Sequence, residues 1–413
     1  MKFENIEELT SKKVKKTGSK QNLFLDELEE KVDNIKDTYV YIKSLAKYYW
    51  VQAKIFFSPN DVINNILVTP KELKTMREYS IIETYDSLVY RKGGKEGSYN
   101  LLDENSILKP SSNPILHSDI KDLVDNVCGH KPENIEYLHK AILYKHNNLN
   151  DFTIPAVVFY GKGGSGKGTL MSLLGTIFGE DNTLANLGQK DLTGSFDTYR
   201  GQKLIVEFAE IATNNTHSDI GVLNKLKNII GAEKIMVNEK GVRQYQTDNI
   251  AWFFISSNSN KPLQLDDKDK GNRRFTIIKS NSSLTNGKDI NNSIRDIERV
   301  KDYLAWLYKT YPEVLSYNNL EALDNEDKKD LEDRSLSDAN QFWEWLNDNF
   351  PDYNGKKRKT DIDDMINMFC IENSYEEREF KKFFWHNSKY PKKKIRIGDD
   401  TYYGVVIPDN KTS

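Results

Sequence analysis

The sequence contains few cysteines, no long apolar run and almost no net charge, and each absence excludes a class of protein. Cys128 and Cys370 are the two cysteines in 413 residues, which argues against a disulfide framework or a cysteine-based zinc site and favours a reducing compartment. No apolar run approaches the ~18 residues of a membrane span, and the first ten residues lack the pattern of a signal peptide. The net charge of −3 gives no global basic field. We therefore expect a soluble cytoplasmic protein, without a membrane partner, that binds any polyanion through local basic patches.

The length predicts two or three domains, and composition divides the chain into segments. Residues 11–20, "SKKVKKTGSK", hold five lysines and no acid. We interpret 1–20 as a basic flexible tail or linker, with a specific binding arm as the alternative. The further boundaries are an N-terminal α+β domain over 21–115, an α/β domain over 116–315 and a C-terminal domain over 330–413.

The N-terminal domain shows no catalytic motif, and we interpret it as a structural or assembly domain. The stretch at 38–57, "TYVYIKSLAKYYWVQAKIFF", is interpreted as helical. The stretch at 86–102, "DSLVYRKGGKEGSYNLL", predicts a β-hairpin that turns at Gly93-Gly94.

The middle of the chain has the pattern of an α/β domain. Near-continuous apolar runs alternate with amphipathic helical stretches such as "IGVLNKLKNIIG" at 220–231. This alternation favours a mostly parallel sheet that is covered on both faces. The strand-like runs are "AVVFY" at 156–160, "KLIVEF" at 203–208, "IAWFFISS" at 250–257 and "RFTIIK" at 274–279.

The C-terminal part predicts a separate arrangement. Residues 318–335 are polar and are interpreted as a linker or an exposed helix. Three helical stretches and then a strand pair at 393–407 follow, in the order of a winged-helix domain. The basic clusters at 356–359 and 389–396 either bind a DNA duplex or fork, or form an ordinary charged surface.

The clearest motif is "FYGKGGSGKGTLMSLL" at 159–174, which follows the first strand of the α/β domain. Its spacing, Gly161-x4-Gly166-Lys167, lets backbone N–H groups point inward at a phosphate, and a helix N-terminus adds partial positive charge. Lys167 can then reach the β- and γ-phosphates. The loop predicts ATP binding through Gly161, Gly163, Gly164, Ser165, Gly166, Lys167, Gly168 and Thr169.

The residue after the lysine is unusual, because a serine or threonine commonly holds Mg²⁺ there. Here Gly168 occupies that position, and the hydroxyl of Thr169 comes one residue later. Thr169 either serves as the Mg²⁺-associated hydroxyl or only begins the helix. Since some nucleoside-monophosphate kinases also place a glycine after the lysine, the loop alone leaves the class of enzyme open.

About forty residues downstream, a strand ends in acidic residues at the position of a Walker B motif. In "LIVEFAEI", Ala209 occupies the first acidic slot and Glu210 the second. An ATPase needs a carboxylate here to polarise the attacking water and to order Mg²⁺. We assign Glu210 as the catalytic base and as a Mg²⁺ ligand, partly through water, with Glu207 as the second choice.

A basic hairpin follows in "VNEKGVRQYQ" at 237–246, with its predicted turn at Lys240-Gly241. Lys240 and Arg243 lie at or beside the tip of this hairpin. On a loop that projects into a channel, such residues can grip successive DNA phosphates without reading sequence. Taken alone, the segment is better interpreted as an ordinary charged hairpin.

Polar side chains at the ends of the next two strands complete the series. Asn258 follows the strand at 250–257, where an amide can hold the attacking water or the γ-phosphate. Arg273 and Arg274 precede the last strand, where an arginine can reach the γ-phosphate of a neighbouring subunit. Arg274 abuts the strand and is our first choice for this role.

This order of motifs resembles that of the superfamily 3 helicases, which are AAA+ motors of viruses, phages and plasmids. The resemblance is greatest to the helicase halves of phage and mobile-element primase–helicases and primase-polymerases, which also carry segments like "NIEYLHKAILY" and "DLTGSFDTYRGQKLIV". It covers roughly residues 130–280, with weaker support from the winged-helix-like C-terminal domain.

The resemblance implies an AAA+ P-loop ATPase core that uses ATP and Mg²⁺. It implies a homo-oligomeric ring, a hexamer, that translocates on single-stranded DNA and unwinds forked DNA in the cytoplasm of a bacterial host. Lys167 matches the Walker A lysine, Glu210 the Walker B glutamate and Asn258 the sensor asparagine. Lys240 matches the channel hairpin and Arg274 the arginine finger. In such a head-to-tail ring, each catalytic site needs two subunits.

Two departures from the family pattern bear on the metal. Gly168 replaces the usual hydroxyl residue, and Ala209 removes an acidic side chain, so the Mg²⁺ shell depends on Thr169, Glu210 and water. The sequence contains no primase constellation, so any primase or polymerase activity lies in another segment or chain. A P-loop nucleotide kinase and a non-enzymatic AAA+-like DNA-binding or assembly protein are the alternative functions.

Overall fold

The computed structural model describes most of the chain between residues 38 and 407. The basic segment at 1–20 and Lys240 lie outside the described residues. No helix in the described part is both long enough and apolar enough to cross a membrane. The described range has gaps at 79, 194–202, 212–216, 239–240, 261, 264, 266–269, 282, 285–286, 336–337, 374 and 389.

The chain divides into two compact units, and the first is discontinuous in sequence. One unit ends at Leu102 but also includes Met236–Thr247. The other comprises Asp103–Ile235 and the chain from Asp248 onward.

The first unit contains a four-stranded sheet with the strand order β3-β2-β1-β4 and two helices. Strand β1 is antiparallel to β2 and parallel to β4. The elements are β1 (Tyr39–Ile42), β2 (Lys47–Trp50), β3 (Ile55–Phe57), α1 (Pro59–Ile66), α2 (Pro70–Glu78), β4 (Glu83–Tyr85), β5 (Ser87–Val89) and β6 (Ser98–Asn100).

The prediction of a helix over 38–57 is wrong, because this stretch forms β1, β2 and β3. It is rich in aromatic and β-branched residues, which favour a pleated sheet. Ala46 and Lys54 take positive φ values of 52° and 57° in the two connecting turns, a conformation that interrupts any helix. Apolar side chains lie on both faces of the sheet, so the alternation that marks a half-buried strand is missing.

The prediction of a hairpin at 86–102 is also wrong, because β5 and β6 pair in parallel, with Ser87 opposite Ser98. The turn at Gly93-Gly94 is present, and the N–H of Gly94 donates to the carbonyl of Arg91 at 3.3 Å. A second turn follows at once, in which the N–H of Ser98 donates to the carbonyl of Lys95 at 3.1 Å. Two successive reversals return the chain to its original direction.

The second unit begins with a mixed series of helices and strands. These elements are α3 (Ser118–Val127), α4 (Pro132–Asn147), β7 (Ala156–Tyr160), α5 (Lys167–Phe178), β8 (Thr183–Leu187), α6 (Gln189–Thr193), β9 (Ile205–Ala209), α7 (His217–Ile229), β12 (Trp252–Ser257), β13 (Phe275–Lys279), α8 (Gly287–Ser293), α9 (Ile297–Thr310) and α10 (Glu326–Ser335). Between α7 and β12 the chain forms β10 (Lys234–Val237) and β11 (Tyr245–Asp248), and the segment Met236–Thr247 within this pair belongs to the first unit.

Five of these strands form one sheet in the order β13-β7-β12-β9-β8, and every neighbouring pair is parallel. The parallel sheet and its four predicted strands are therefore confirmed. The edge strand β8 was not anticipated, because its sequence, "TLANL", is short and only partly buried. Alternate residues of the strands pack against α6, α7 and α10 on one face of the sheet.

The chain ends in a small arrangement with an aromatic core. The three predicted helices and the predicted strand pair occur in the expected order. An additional short strand, β14, lies between the first two helices and completes an antiparallel sheet of order β14-β16-β15. The elements are α11 (Asp338–Asn349), β14 (Gly355–Arg358), α12 (Lys359–Asn373), α13 (Glu377–Asn387), β15 (Lys393–Ile397) and β16 (Asp400–Ile407).

The interpretation of 318–335 as a linker or exposed helix is wrong at the start of α10. Asp327 is 1% exposed despite its charge. One oxygen of its carboxylate accepts from Lys131 Nζ at 2.9 Å. The other accepts from Asn134 Nδ2 and from the N–H of Lys279, each at 3.0 Å. The segment is buried because its polar groups find partners on α4 and β13, which the sequence does not show.

We predict that Asp327→Ala destabilises the protein by about 3–5 kcal/mol, because Lys131, Asn134 and the N–H of Lys279 all lose a buried acceptor. Urea unfolding measures the effect. Glu326→Ala is the matched control: Glu326 also binds Lys131 at 2.9 Å, but its side chain is 76% exposed. It should cost less than about 1 kcal/mol. Equal losses in the two variants would contradict the role given to the buried network.

Candidate nucleotide-binding site

The glycine-rich loop at 161–166 joins β7 to α5 at the carboxyl ends of the parallel strands. β7 is the first strand of this sheet in the sequence, yet it lies between β12 and β13, which come much later. In open parallel sheets, the crevice beyond the strand ends, near the point where the connections diverge, is the usual ligand site. Helix α5 begins at Lys167, so its N-terminal N–H groups lie at this crevice.

Two glycines are required by the local backbone of the loop. Gly161 has φ of +138°, and a Cβ there would lie 2.8 Å from the carbonyl oxygen of Ser280. Gly166 has φ of +95°, and a Cβ there would lie 2.8 Å from Leu123 Cδ1. The positive φ disfavours a larger residue at both positions, and at Gly161 the backbone of Ser280 leaves no space for one. The segment is therefore a tight cradle and not a loose glycine-rich connection.

Two distant segments hold this cradle in place. Asn126, at the end of α3, donates from Nδ2 to the carbonyl of Ser165 at 2.8 Å. The backbone carbonyl of Asn126 accepts from the N–H of Asn281 at 3.0 Å, and the N–H of Leu284 donates to the carbonyl of Gly164 at 2.8 Å. Asn126 is buried, so these hydrogen bonds attach the loop to the protein interior.

Three of the residues expected to be catalytic form one hydrogen-bonded chain. Lys167 Nζ donates to Asn258 Oδ1 at 3.1 Å. Asn258 Nδ2 donates to Glu210 Oε1 at 2.8 Å. The amide thus uses its acceptor for the cation and its donor for the carboxylate, which defines its orientation. The structure brings together residues that are up to 91 positions apart in sequence.

Lys167 also folds back over the loop in this state. Its ammonium donates to the carbonyl oxygens of Gly161 and Lys162 at 3.1 and 3.2 Å and contacts Ser165 Oγ at 3.2 Å. Partial burial lowers the pKa of Lys167, while the nearby carboxylates act in the opposite direction. These acceptors hold the ammonium at the mouth of the cradle.

Glu207, the second-choice carboxylate, lies inside β9 and is 2% exposed. Ser256 Oγ on the neighbouring strand donates to its Oε1 at 2.7 Å, and the N–H of Asn186 donates to its Oε2 at 3.2 Å. Burial raises the pKa of Glu207, and the two hydrogen bonds oppose this shift. The two glutamates therefore occupy unlike environments, since Glu210 is exposed.

Two residues that line the cleft have left-handed backbones. Glu210 has φ of 54° and Asn186 has φ of 63°. The register of β8 shifts between Leu184 and Leu187, which displaces Asn186 from the regular ladder. Its N–H is thereby turned towards Glu207. Such conformations cost on the order of 1–3 kcal/mol in non-glycine residues and cluster at functional sites.

The cleft enclosed by these groups has a volume of about 520 Å³. The residues from Gly163 to Thr169 line it together with Glu207, Glu210 and Asn258. The size is within the range of small-ligand pockets, roughly 300–1,000 Å³. Backbone donors and an ammonium on one side with carboxylates on the other suit a polyphosphate that carries a divalent cation.

The structure bears on the unusual order Gly168-Thr169. A Cβ built on Gly168 meets no atom within 4 Å, so the space does not demand a glycine. Thr169 lines the cleft and lies one residue further into α5. Both roles foreseen for its hydroxyl, metal contact and helix start, stay open.

Arg273 and Arg274 lie at the amino ends of the parallel strands, whereas the loop lies at their carboxyl ends. They precede β13, whose first residue, Phe275, pairs with Ala156 at the start of β7. With about 3.3 Å per residue, five strand residues separate this edge from the loop by roughly 16 Å. Neither arginine lines the cleft of its own chain. The cleft of this chain is therefore formed without Arg273 or Arg274.

The predicted basic hairpin is present as a two-stranded pairing of β10 with β11. Gly241 has φ of 78° in the turn, and Arg243 is exposed. Val242 and Tyr245 pack in an apolar cluster of the first unit, where the Tyr245 ring lies 6.5 Å from that of Phe56. The hairpin thus belongs structurally to the N-terminal unit, which the sequence does not indicate.

Sequence reasoning missed three contributors to the site. Asn126 lies 39 residues before its partner in the loop, and no motif marks it. Asn186 lies in a strand that was not anticipated. Ser256 lies two residues before Asn258 at the predicted strand end, so its position is a usable signal, but the sequence does not show its bond to Glu207.

Comparisons with known proteins match this region. A family described as "Family of unknown function (DUF5906)" matches residues 159–274, which include the loop and both arginines. The chain is 29% identical over 259 residues to the "DNA Primase-polymerase" of Nitratiruptor phage NrS-1. That alignment covers 61% of this chain and 32% of the relative, so the chain matches about a third of that protein.

The fold matches solved structures of the C-terminal region of NrS-1. One apo structure aligns with a TM-score of 0.61 at 19% identity and covers 90% of this chain and 96% of that region. A second apo structure aligns with a TM-score of 0.60 at 19% identity and the same coverage. The mixed α/β fold with its parallel sheet therefore resembles that of the NrS-1 C-terminal region.

We predict that Glu207→Gln keeps or increases stability at pH 7 and that this difference shrinks as the pH falls. Because the folded pKa of Glu207 is raised, ionisation of its carboxyl removes stability as pH rises through that pKa, whereas the amide stays neutral. Urea midpoints between pH 4 and 8 measure the effect. Glu210→Gln, at an exposed position, is the matched control and should stay within about 0.5 kcal/mol at either pH. A Glu207→Gln protein that is clearly less stable at pH 7, and by the same amount at pH 4, would contradict this prediction and would indicate that the second accepting oxygen matters more than the charge.

Proposed function

We propose that the chain is an ATP-dependent DNA helicase of a phage or mobile-element replication system. The observation that carries this proposal is the convergence of Lys167, Asn258 and Glu210 at the mouth of a glycine-imposed cradle. Similarity to a phage protein named as a DNA primase-polymerase supports a role in DNA replication. The finer assignments, an AAA+ superfamily 3 core and a winged-helix C-terminal domain, are part of the proposal.

In this proposal, each residue of the cleft has its own role in ATP hydrolysis. The N–H groups of the loop and of the first turn of α5 hold the phosphates, and Lys167 neutralises charge on the terminal ones. Glu210 orients a water molecule and accepts its proton, because it is the exposed carboxylate at the end of β9. Asn258 hydrogen-bonds to both Lys167 and Glu210 and so fixes their relative positions.

Mg²⁺, when bound, would neutralise charge that develops on the transferred phosphoryl group. The hydroxyl of Thr169 and the carboxylate of Glu210 line the same cleft and could hold it, with water completing the shell. Glu207 is already hydrogen-bonded on both oxygens, which suits it to positioning Ser256 and Asn186 more than to direct ligation.

The position of Arg274 supports a ring of identical subunits. It is remote from the cleft of its own chain, as an arginine that acts on a neighbour must be. A heterologous, head-to-tail contact would place it at the next cleft, and repetition of that contact closes a ring, for which we propose a hexamer. The hairpin that carries Lys240 and Arg243 would then contact single-stranded DNA. A priming activity, if it acts with this motor, belongs to a segment or chain outside these residues.

We predict that the protein hydrolyses ATP, that single-stranded DNA stimulates turnover, and that Lys167→Ala reduces turnover by at least about 100-fold. Released phosphate measures turnover, and a labelled fork measures unwinding. Glu210→Gln should bind ATP but not hydrolyse it. Stimulated turnover that persists in Lys167→Ala would contradict the assignment of the loop. Transfer of phosphate to a nucleoside monophosphate would favour a kinase, and absence of any turnover a non-enzymatic DNA-binding protein.

We predict that Arg274→Ala binds ATP with unchanged affinity but loses hydrolysis, because the guanidinium acts on a neighbouring site. Mixed with Lys167→Ala subunits, it should regain part of the activity, since some interfaces then pair an intact cleft with an intact arginine. Arg273→Ala is the matched control and should keep most of the activity. No recovery over the full range of mixing ratios would exclude a role in trans.

A further inference from the structure

Positive charge in the C-terminal part of the chain is concentrated in two short segments. Residues 338–407 contain 12 Lys and Arg residues and 13 Asp and Glu residues, so the net charge of this part is close to zero. Nine of these 12 cations lie at 356–359 and 389–396, which contain no acid. Such segregation creates a local positive field without affecting the net charge.

The second of these segments forms an edge strand with a defined face. β15 pairs on one side with β16, and Lys394 lies opposite Tyr403. Alternate residues of a strand share a face, so Lys392, Lys394 and Arg396 form a row on the side of Tyr403, roughly 7 Å apart. The contacts agree, because the Nζ atoms of Lys392 and Lys394 each lie 5.9 Å from the centre of the Tyr403 ring.

Tyr403 is 57% exposed, although large aromatic side chains are usually covered. The neighbouring Tyr402 differs, because the guanidinium of Arg358 lies over its ring at 4.1 Å. In the described part of the chain, neither Lys392 nor Lys394 has a carboxylate within 4.0 Å. Arg396 approaches Asp399 at 3.7 Å, but both side chains are well exposed, so this pair is weak.

Lysines also protect edge strands against pairing with other chains, and this alone would account for lysines on β15. It does not account for a large exposed ring beside them, because an apolar surface next to an open edge favours association. A row of cations along an exposed aromatic ring is instead the arrangement that binds the phosphates and bases of an unpaired strand.

We propose that the face formed by Lys392, Lys394, Arg396 and Tyr403 binds single-stranded DNA. The three cations contact successive phosphates, and the Tyr403 ring stacks on an unpaired base. Stacking tolerates any base, so binding is independent of sequence. A duplex keeps its bases stacked on each other, and it can therefore use the cations of this face but not the ring. This inference does not depend on ATP hydrolysis.

The test uses the full chain without nucleotide and a labelled oligothymidylate, with binding followed by fluorescence anisotropy. Tyr403→Ala should weaken binding about fivefold or more. Tyr403→Trp keeps a stacking surface and should bind at least as well as the natural sequence. A double change, Lys392→Gln with Lys394→Gln, should reduce the slope of log K against log salt by about 1.4, or 0.7 per phosphate contact. The same pair changed to Arg should restore the slope.

Two outcomes would overturn the proposal. One is unchanged affinity of Tyr403→Ala for the oligothymidylate, and the other is an equal loss on a blunt duplex of the same length. A Lys109→Gln, Lys309→Gln double variant removes the same charge from exposed positions elsewhere and should leave the salt slope unchanged. Failure of the helicase proposal would appear separately, as absent ATP turnover in a protein that still binds DNA through Tyr403.

Discussion

The parallel pairing of β7 with β12 on one side and β13 on the other determines where the glycine-rich loop, Asn258 and the segment after β13 meet in the candidate cleft. The N–H of Gly161 donates to the carbonyl of Ser257 at 3.2 Å, and the N–H of Ser280 donates to the carbonyl of Tyr160 at 2.8 Å. The first bond brings Asn258 next to the loop. The second brings the segment that follows β13, which includes Leu284, into contact with the loop. Groups remote in sequence thus converge because three strands end together at one edge.

The features that could be predicted from sequence are those with a local cause. Gly161 and Gly166 are required by their own backbone conformations, and the four apolar strands are marked by their composition. Glu210 and Asn258 could be placed because each follows such a strand directly. The prediction of a helix at 38–57 failed for a physical reason. Burial on both faces of the sheet removes the alternation of apolar and polar residues that distinguishes a strand from a helix. The prediction at 86–102 failed because a second turn followed the one that was recognised.

The burial of several polar groups could not be predicted from the sequence, for a different reason. Asp327 and Asn126 appear in sequence as ordinary surface residues, and the sequence does not show the hydrogen-bond partners of Glu207. Each of the three is buried with partners from distant segments. An unpaired buried carboxylate or amide is costly, so the partners must be in place before the residue can be buried. These networks tie helices and loops to the carboxyl edge of the sheet, where a displacement of the loop by an ångström would alter its donors.

The discontinuity of the first unit has a consequence for the growing chain. Its apolar cluster includes Val242 and Tyr245, which are synthesised more than 130 residues after Leu102, where the continuous part of the unit ends. Domains of a nascent chain generally fold in order from the N-terminus. Here the first unit cannot complete its core until β7 and β9 have been made. Strands β7, β8 and β9 are therefore synthesised while the apolar cluster of the first unit still lacks Val242 and Tyr245, whereas β12 and β13, the two neighbours of β7, follow later.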